Sequence, residues 1–579
     1  MMKNTKTGNT KMMTRHDMTF IVLTLAMHST TNLVQAFSFT PAGTMPIVSR
    51  TNSDIVRSPL FWSEKKKSSS SLSESTSTLI ELDKEAGDSV TEDLASIAIG
   101  QLDYDWKKSV WYPLTYESYI PTLKESAEAI PVSIFNEPLV LWRDSNDKIN
   151  CAYDVCPHRS AALSEGRTRD GKLECLYHGW QFSAEKEGEC VTIPQLADGA
   201  TIPKKACLKM KNIRVVEGIV WVYMGDDAPP EGLEPSTSGD DVGSPSFKKN
   251  FSLYDFQIDL PYDHSYLVEN LLDPAHIPIS HDKTSGGGKR ENAQAFEMEI
   301  DKDSVSPQGF TGRYRNTIKK KNGSENPWTM TKFEAPGIIR YKTVAGKVMF
   351  SGNLHCIPIG LGRSRLLFRV YFTGIPKFAR MLIDLKPMWY RHLNSCKVLE
   401  QDMGLITTQE DHFTRTNRNL SQDFLLLKSS DAFVGQYRKW LDTVGGGMPW
   451  FQGLASASSG ARASATNHEL RPGLDPIRQR SSGVFETRYH SHVLRCPATR
   501  KALTRIKKGK TISLAVMFAA FAASVNMLAL PVRTTPALFR LVSLSVPAFA
   551  GLAALLDRLE KLFYVSFSRR EQLQNEVGI

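Results

Sequence analysis

The chain has 579 residues, 8 cysteines and a formal net charge of +10, which leaves room for several domains. Its cysteines are scattered rather than densely framed, which argues against a disulfide-stapled secreted protein. The positive charge does not mark a nucleic-acid binder: residues 1–76 carry nine Lys/Arg against four Asp/Glu, residues 495–510 carry seven Lys/Arg and no acid, and no patch interleaves basic and aromatic residues.

The N-terminus reads as targeting sequence. Lys3, Lys6, Lys11 and Arg15 precede a short apolar stretch from Met18 to Met27, and Ala36 offers a small residue for cleavage. Residues 1–36 therefore read as a signal peptide, too short and interrupted for a membrane span. Residues 37–80 are Ser/Thr-rich, basic and poor in acids, which is transit-peptide-like. The two together, with Phe37 just after the cleavage point, look like the bipartite presequences of algae with secondary plastids. The alternative is a secretory signal followed by a disordered linker.

Residues 104–228 alternate short β-rich runs with turns, as in "EPLVLWRDSNDKINCAYDVC" and "IRVVEGIVWVYMGD", with Asn146-Asp147 and Glu217-Gly218 as turn signals. A small antiparallel β domain is expected. Within it "CPHRSAALSEGRTRDGKLECLYHGW" holds Cys156-x-His158 and Cys175-x-x-His178, sixteen residues apart. Structural zinc sites usually pair Cys with Cys and His with His. Here each pair mixes the two ligand types. A [2Fe–2S] centre of the Rieske type, with two thiolates on one iron and two imidazoles on the other, needs that division; zinc is the alternative.

A Pro/Gly/Ser-rich stretch leads into residues 247–442, where alternating strands mix with helical stretches near 261–281 and 384–439, an α+β pattern. "YLVENLLDPAHIPISHD" carries Glu269, Asp273, His276 and His281. Two His this far apart can face one point if a helix ends between them, and Pro278 fits such a break. Non-haem iron that binds O₂ takes two His and one carboxylate with open positions. In "VLEQDMGLITTQEDH", Asp402 shares a helical face with Leu405, Ile406 and Gln409 and is the favoured third ligand. Glu400, Glu410 and Asp411 compete, each more often a solvated charge.

These motifs resemble the plastid Rieske non-haem iron oxygenases, the family of pheophorbide a oxygenase, chlorophyllide a oxygenase and the translocon-associated envelope Rieske protein, over about residues 100–440 and a membrane tail. "CPHRSAALSEG" and "CLYHGWQF" are similar to the cluster loops, and D-x₂-H-x₄-H and "QDMGLITTQ" to the iron motif and the carboxylate helix. The loops lack the extra Cys pair of respiratory and photosynthetic Rieske proteins. The resemblance implies a small antiparallel β Rieske domain followed by a helix-plus-antiparallel-sheet catalytic domain. It implies one [2Fe–2S] cluster on Cys156, His158, Cys175 and His178, and one mononuclear Fe(II) on His276, His281 and Asp402. Asp273 would bridge His276 of one subunit to a neighbour's cluster His, in a homotrimer.

Residues 443–484 read as a flexible linker and 485–510 as a basic segment. Residues 511–556 hold two apolar runs of spanning length, a C-terminal transmembrane hairpin, or a hairpin lying on one leaflet. Arg540 can snorkel near the start of the second run. "FETRYHSHVLRCPATRKAL" resembles the segment where pheophorbide a oxygenase carries C-x-x-C, but Thr499 replaces the second Cys, and His490, His492 and Cys496 are expected in an ordinary helix. The resemblance implies a monooxygenase that uses O₂ and electrons from ferredoxin on a chlorophyll-derived tetrapyrrole, first pheophorbide a. The alternatives are a chlorophyllide or protochlorophyllide side-group oxygenase and a non-catalytic redox protein. The expected place is a plastid membrane, thylakoid or inner envelope, with the catalytic domains on the stromal side.

Overall fold

The computed structural model describes residues 104–238, 251–284, 288–317, 323–360, 362–374, 376–416, 424–445, 447–448, 451–452, 487–529 and 536–566. The expected presequence and nearly all of the expected 443–484 linker lie outside these residues.

Ten short strands build the first part: β1 (Trp111–Tyr116), β2 (Ile130–Ile134), β3 (Glu137–Arg143), β4 (Ile149–Tyr153), β5 (Arg167–Arg169), β6 (Lys172–Glu174), β7 (Gln181–Ser183), β8 (Glu189–Thr192), β9 (Ile213–Val216) and β10 (Ile219–Tyr223). They form three antiparallel sheets, ordered β1-β10-β9, β2-β3-β4 and β5-β6-β7-β8. Glu217 and Gly218 both take positive φ, 53° and 73°, as a tight β9–β10 hairpin requires. A core of Val140, Trp142, Leu163, Leu173, Phe182 and Leu208 closes around Cys156 and Cys175.

The second part is a seven-stranded antiparallel sheet, ordered β11-β17-β16-β15-β14-β13-β12. Its strands are β11 (Phe251–Leu260), β12 (Phe296–Ile300), β13 (Gly309–Asn316), β14 (Thr329–Glu334), β15 (Ile338–Ala345), β16 (Val348–Gly360) and β17 (Arg363–Thr373). The helices are α1 (His264–Leu272), α2 (Ile277–Ser280), α3 (Lys377–Asp384), α4 (Met388–Thr416) and α5 (Ala432–Thr443). Thus the helical tract expected over 384–439 is two helices, with residues 424–431 outside both. α1 packs on β15, β16 and β17, and α4 on β11. The fold is α+β, as the motif order predicts.

Buried arginines tie the two parts together. Arg365 pairs with Asp259 at 2.6 Å and donates to the Leu114 carbonyl of β1; Arg369 pairs with Asp255 at 2.7 Å and donates to the Glu217 carbonyl. The C-terminus adds a one-turn π-helix (Tyr489–Val493), α6 (Pro497–Ala529) and α7 (Pro536–Lys561). α6 and α7 pack on each other, are long and apolar enough to cross a membrane, and leave Phe518, Phe521, Leu541 and Leu544 exposed.

Candidate metal centres

The two Cys/His loops fold alike. In the first, Cys156 N–H donates to the Ala161 carbonyl and the Cys156 carbonyl accepts from Ser160 N–H; in the second, Cys175 N–H donates to the Trp180 carbonyl and the Cys175 carbonyl accepts from Gly179 N–H. Ser160 and Gly179 both take positive φ, 56° and 74°, and so turn each chain back at the same point. The one-residue difference in Cys-to-His spacing is absorbed within this shared turn.

The result is two thiols inside and two imidazoles outside. Cys156 and Cys175 are each 2% exposed, His158 is exposed and His178 partly so. The rings lie 4.5 Å apart between centroids, and His158 stacks on Trp180 at 4.5 Å. Burial pushes the Cys156 thiol up to about 11, so a thiolate there calls for a bound cation. A cluster with its sulfur-bound iron buried and its imidazole-bound iron at the surface fits this donor set.

The second centre is built around a break after α1. Asp263 caps that helix through Ser265 N–H, and the helix ends at Asp273, which takes the extended backbone a following proline demands. Pro274 is therefore the breaker. Pro278, expected to break a helix between the two His, instead sits in the first turn of α2, where its missing N–H costs nothing. His276 and His281 cap opposite ends of that single turn.

Both imidazoles meet α4. His281 Nε2 lies 3.1 Å and His276 Nε2 3.6 Å from Asp402 Oδ2, and the donor atoms of all three lie within 4.8 Å of one another. Asn270 Nδ2 lies 3.5 Å from the same oxygen. His281 Nδ1–H donates to Gln401 Oε1 at 3.0 Å, and Gln401 Nε2 donates to Thr284 Oγ1 at 2.9 Å. This chain fixes the tautomer that leaves the His281 Nε2 lone pair facing Asp402. Asp273 Oδ1 accepts from Ala275 N–H at 2.7 Å, the turn-capping role, while its Oδ2 sits 3.3 Å from His276 Nδ1. That contact is close enough for charge but poorly aligned for a hydrogen bond. Burial opposes charge on His276, yet the Asp273 and Asp402 carboxylates hold its pKa above the ordinary value.

The competing carboxylates have other partners. Glu400 is buried and bidentate with Arg488, both contacts at 2.6 Å; Glu410 is buried and accepts from Asp263 N–H. Neither is the solvated charge expected of it, because each compensates a buried donor. The Asp411 side chain lies outside the described residues. Glu269 pairs with Arg438 at 2.6 Å. A cavity of about 340 Å³ is lined by His276 and Asp402 of the triad, with Leu405, Ile406, Gln409 and Val434 among others. Asp402, Leu405, Ile406 and Gln409 thus share the face that the helical spacing predicts. Sequence reasoning missed Gln401, Asn270 and Thr284, since no spacing rule marks them.

Residues 110–209 match the Rieske [2Fe-2S] domain family and residues 333–419 the pheophorbide a oxygenase family. Protein TIC 55, chloroplastic, of Pisum sativum is 38% identical over 437 residues, covering 72% of this chain and 74% of the relative. The chain belongs to the plastid Rieske non-haem iron oxygenases. Pheophorbide a oxygenase, chloroplastic, of Arabidopsis thaliana is 30% identical over 381 residues, 60% of this chain and 66% of the relative. A solved structure of dicamba monooxygenase bound to dicamba has a TM-score of 0.47 at 18% identity, over 59% of this chain and 98% of that one. Family membership makes the chain an iron-dependent oxidoreductase with iron–sulfur and iron cofactors, using O₂, a substrate and an electron donor. The chloroplastic relatives and the two apolar helices point to a plastid membrane.

Proposed function

We propose that the chain is a plastid Rieske monooxygenase acting on a chlorophyll-derived tetrapyrrole, with pheophorbide a as the first candidate and chlorophyllide or protochlorophyllide side groups as the second. The supporting observation is the convergence of His276, His281 and Asp402 on one point, with His276 and Asp402 lining a cavity. In this reading Cys156, His158, Cys175 and His178 hold one [2Fe–2S] cluster, and the triad holds one Fe(II). When bound, the cluster supplies single electrons and the Fe(II) supplies a site for O₂.

The chain's own residues do the rest. The imidazoles of His158 and His178 give a small donor such as ferredoxin access to the outer edge of the cluster, while the buried thiols stay shielded. Gln401 and Asn270 hold His281 and Asp402 in place. Leu405, Ile406 and Val434 offer apolar wall to a flat pigment and keep water off it. The volume is at the low end of the ~300–1,000 Å³ typical of small-molecule sites, so a macrocycle extends through the mouth past the exposed Leu425 and Leu426. In this reading the hairpin anchors the enzyme at a membrane, where such pigments partition, and the basic segment 495–510 faces the stroma. A non-catalytic redox protein has no use for the converged triad.

The test is anaerobic loading with Fe(II), reduction by ferredoxin, and addition of O₂ with pheophorbide a, chlorophyllide a or protochlorophyllide. An oxygenated product from one of the three is expected. A cluster that reduces normally while none of the three is oxygenated overturns the substrate assignment.

A further inference from the structure

A third constellation lies where the catalytic part meets the membrane hairpin. His392 stands one turn into α4, His492 in the π-helical turn, and Cys496 immediately before α6. They are 2%, 0% and 0% exposed. Each offers one ligand atom, and these atoms lie within 4.8 Å of one another. His392 Nδ1 is 3.2 Å from Cys496 Sγ. His492 Nδ1 meets the Gln257 carbonyl of β11 at 2.5 Å, which fixes that nitrogen as the protonated one. The His492 Nε2 lone pair is left buried and without a hydrogen-bond partner among the described residues.

A backbone carbonyl on one ring nitrogen and a bare lone pair on the other is how metal-binding histidines are oriented. Leaving such an acceptor buried and unmet is unfavourable, and a bound cation relieves it. The surroundings are dry and aromatic: Phe256 stacks on His492 at 4.8 Å, and Tyr254 meets His392 edge-on at 5.3 Å. Thr499, which takes the place of a second cysteine, is buried and bonds back to the Cys496 carbonyl, so the thiol faces imidazoles rather than a disulfide partner.

We propose that His392, His492 and Cys496 form a metal site that takes Zn²⁺, separate from the cluster and from the His276–His281–Asp402 triad. One thiolate and two imidazoles suit a borderline-soft ion without a geometric demand of its own. The site is a clasp. It joins α4, ten residues before Asp402, to the root of α6, where Arg488–Glu400 and Arg495–Asp259 already pin the same junction.

The test uses the full-length protein in detergent, with its iron cofactors loaded, given a stoichiometric amount of Zn²⁺ and read by X-ray absorption at the zinc edge. The expected shell has one sulfur at about 2.3 Å and two nitrogens at about 2.0–2.1 Å, and the sulfur is lost in Cys496→Ser while the iron content and cluster spectrum persist. A shell with two sulfurs marks the Rieske loops, and one with only nitrogen and oxygen marks the triad; either result, or no retained zinc, overturns the clasp. The wild-type spectrum decides the matter even if the variant does not fold.

Discussion

Gln401 accepts a hydrogen bond from the His281 ring at 3.0 Å, and it is the immediate neighbour of Asp402 on α4. One helix therefore supplies both the carboxylate of the triad and the group that orients one of its imidazoles. Removing such an orienting partner typically costs 10–100-fold in metal affinity. Gln401→Leu is expected to weaken Fe(II) binding at the triad by about that factor, with the cluster's electron paramagnetic resonance signal intact. Iron titration of cluster-loaded, triad-empty protein measures it. An unchanged affinity would remove Gln401 from the site.

Glu400 and Asp402 sit two residues apart and are expected to fail in opposite ways. Glu400→Ala leaves Arg488 buried without its partner, which costs about 3–5 kcal/mol. The thermal midpoint should drop markedly. Asp402→Ala instead removes a carboxylate shared by two imidazoles. It should abolish oxygenation, keep the cluster spectrum and leave the midpoint near that of the wild type. Full oxygenation in Asp402→Ala would move the third ligand elsewhere on α4.

The clarity of the sequence tracked how local each arrangement is. The four proposed cluster ligands fall within one short stretch, and a set of two thiolates and two imidazoles has a spacing that a sequence can display. His276 and His281 could be paired for the same reason. Asp402 required helix periodicity to reach from α4. Gln401 could not be found, because a Gln beside an Asp has many uses and only the packed structure turns its amide toward His281. The His392–His492–Cys496 group was hidden by distance, with roughly a hundred residues between its first member and the others. The ordinary helix expected there is a π-turn that rotates His492 inward. Pro278 was misread because proline starts helices as readily as it ends them.

Two buried histidines of the catalytic part set an acid limit on stability. Burial holds His264 and His355 at a pKa of about 3, against 6.5 for an exposed imidazole. Below pH 6.5 the unfolded chain takes up protons that the folded chain refuses. Stability that is complete above this value is therefore lost as pH falls toward 3, by about 1.4 kcal/mol per pH unit for each ring. The thermal midpoint should be lower at pH 5.5 than at pH 7.5, and His264→Gln should show a smaller difference between the two. An equal difference in the variant would mean that His264 titrates normally.

Asp273 has two oxygens in two environments. Oδ1 holds the turn through Ala275 N–H, and Oδ2 faces the His276 ring, with a quarter of the side chain exposed. Capping alone is a common use of Asp before proline and needs no charge. A carboxylate beside a metal-bound imidazole also tunes that metal, and its exposed edge is open to a second imidazole from outside the subunit. By the family resemblance that second ring is a cluster His of a neighbouring subunit, so the proposed circuit runs from His178 of one copy through Asp273 to His276 of the next and requires an oligomer, a homotrimer by the same resemblance. Asp273→Asn retains the capping oxygen and removes the charge. The variant should stay folded, keep both iron centres and accept an electron at the cluster, yet lose at least about 100-fold, or roughly 2.7 kcal/mol, in the rate at which the reduced cluster is reoxidised with substrate and O₂ present. Stopped-flow absorbance of the cluster reads this step directly, and light scattering on the same sample reports the assembly. Reoxidation at the wild-type rate would reduce Asp273 to a cap.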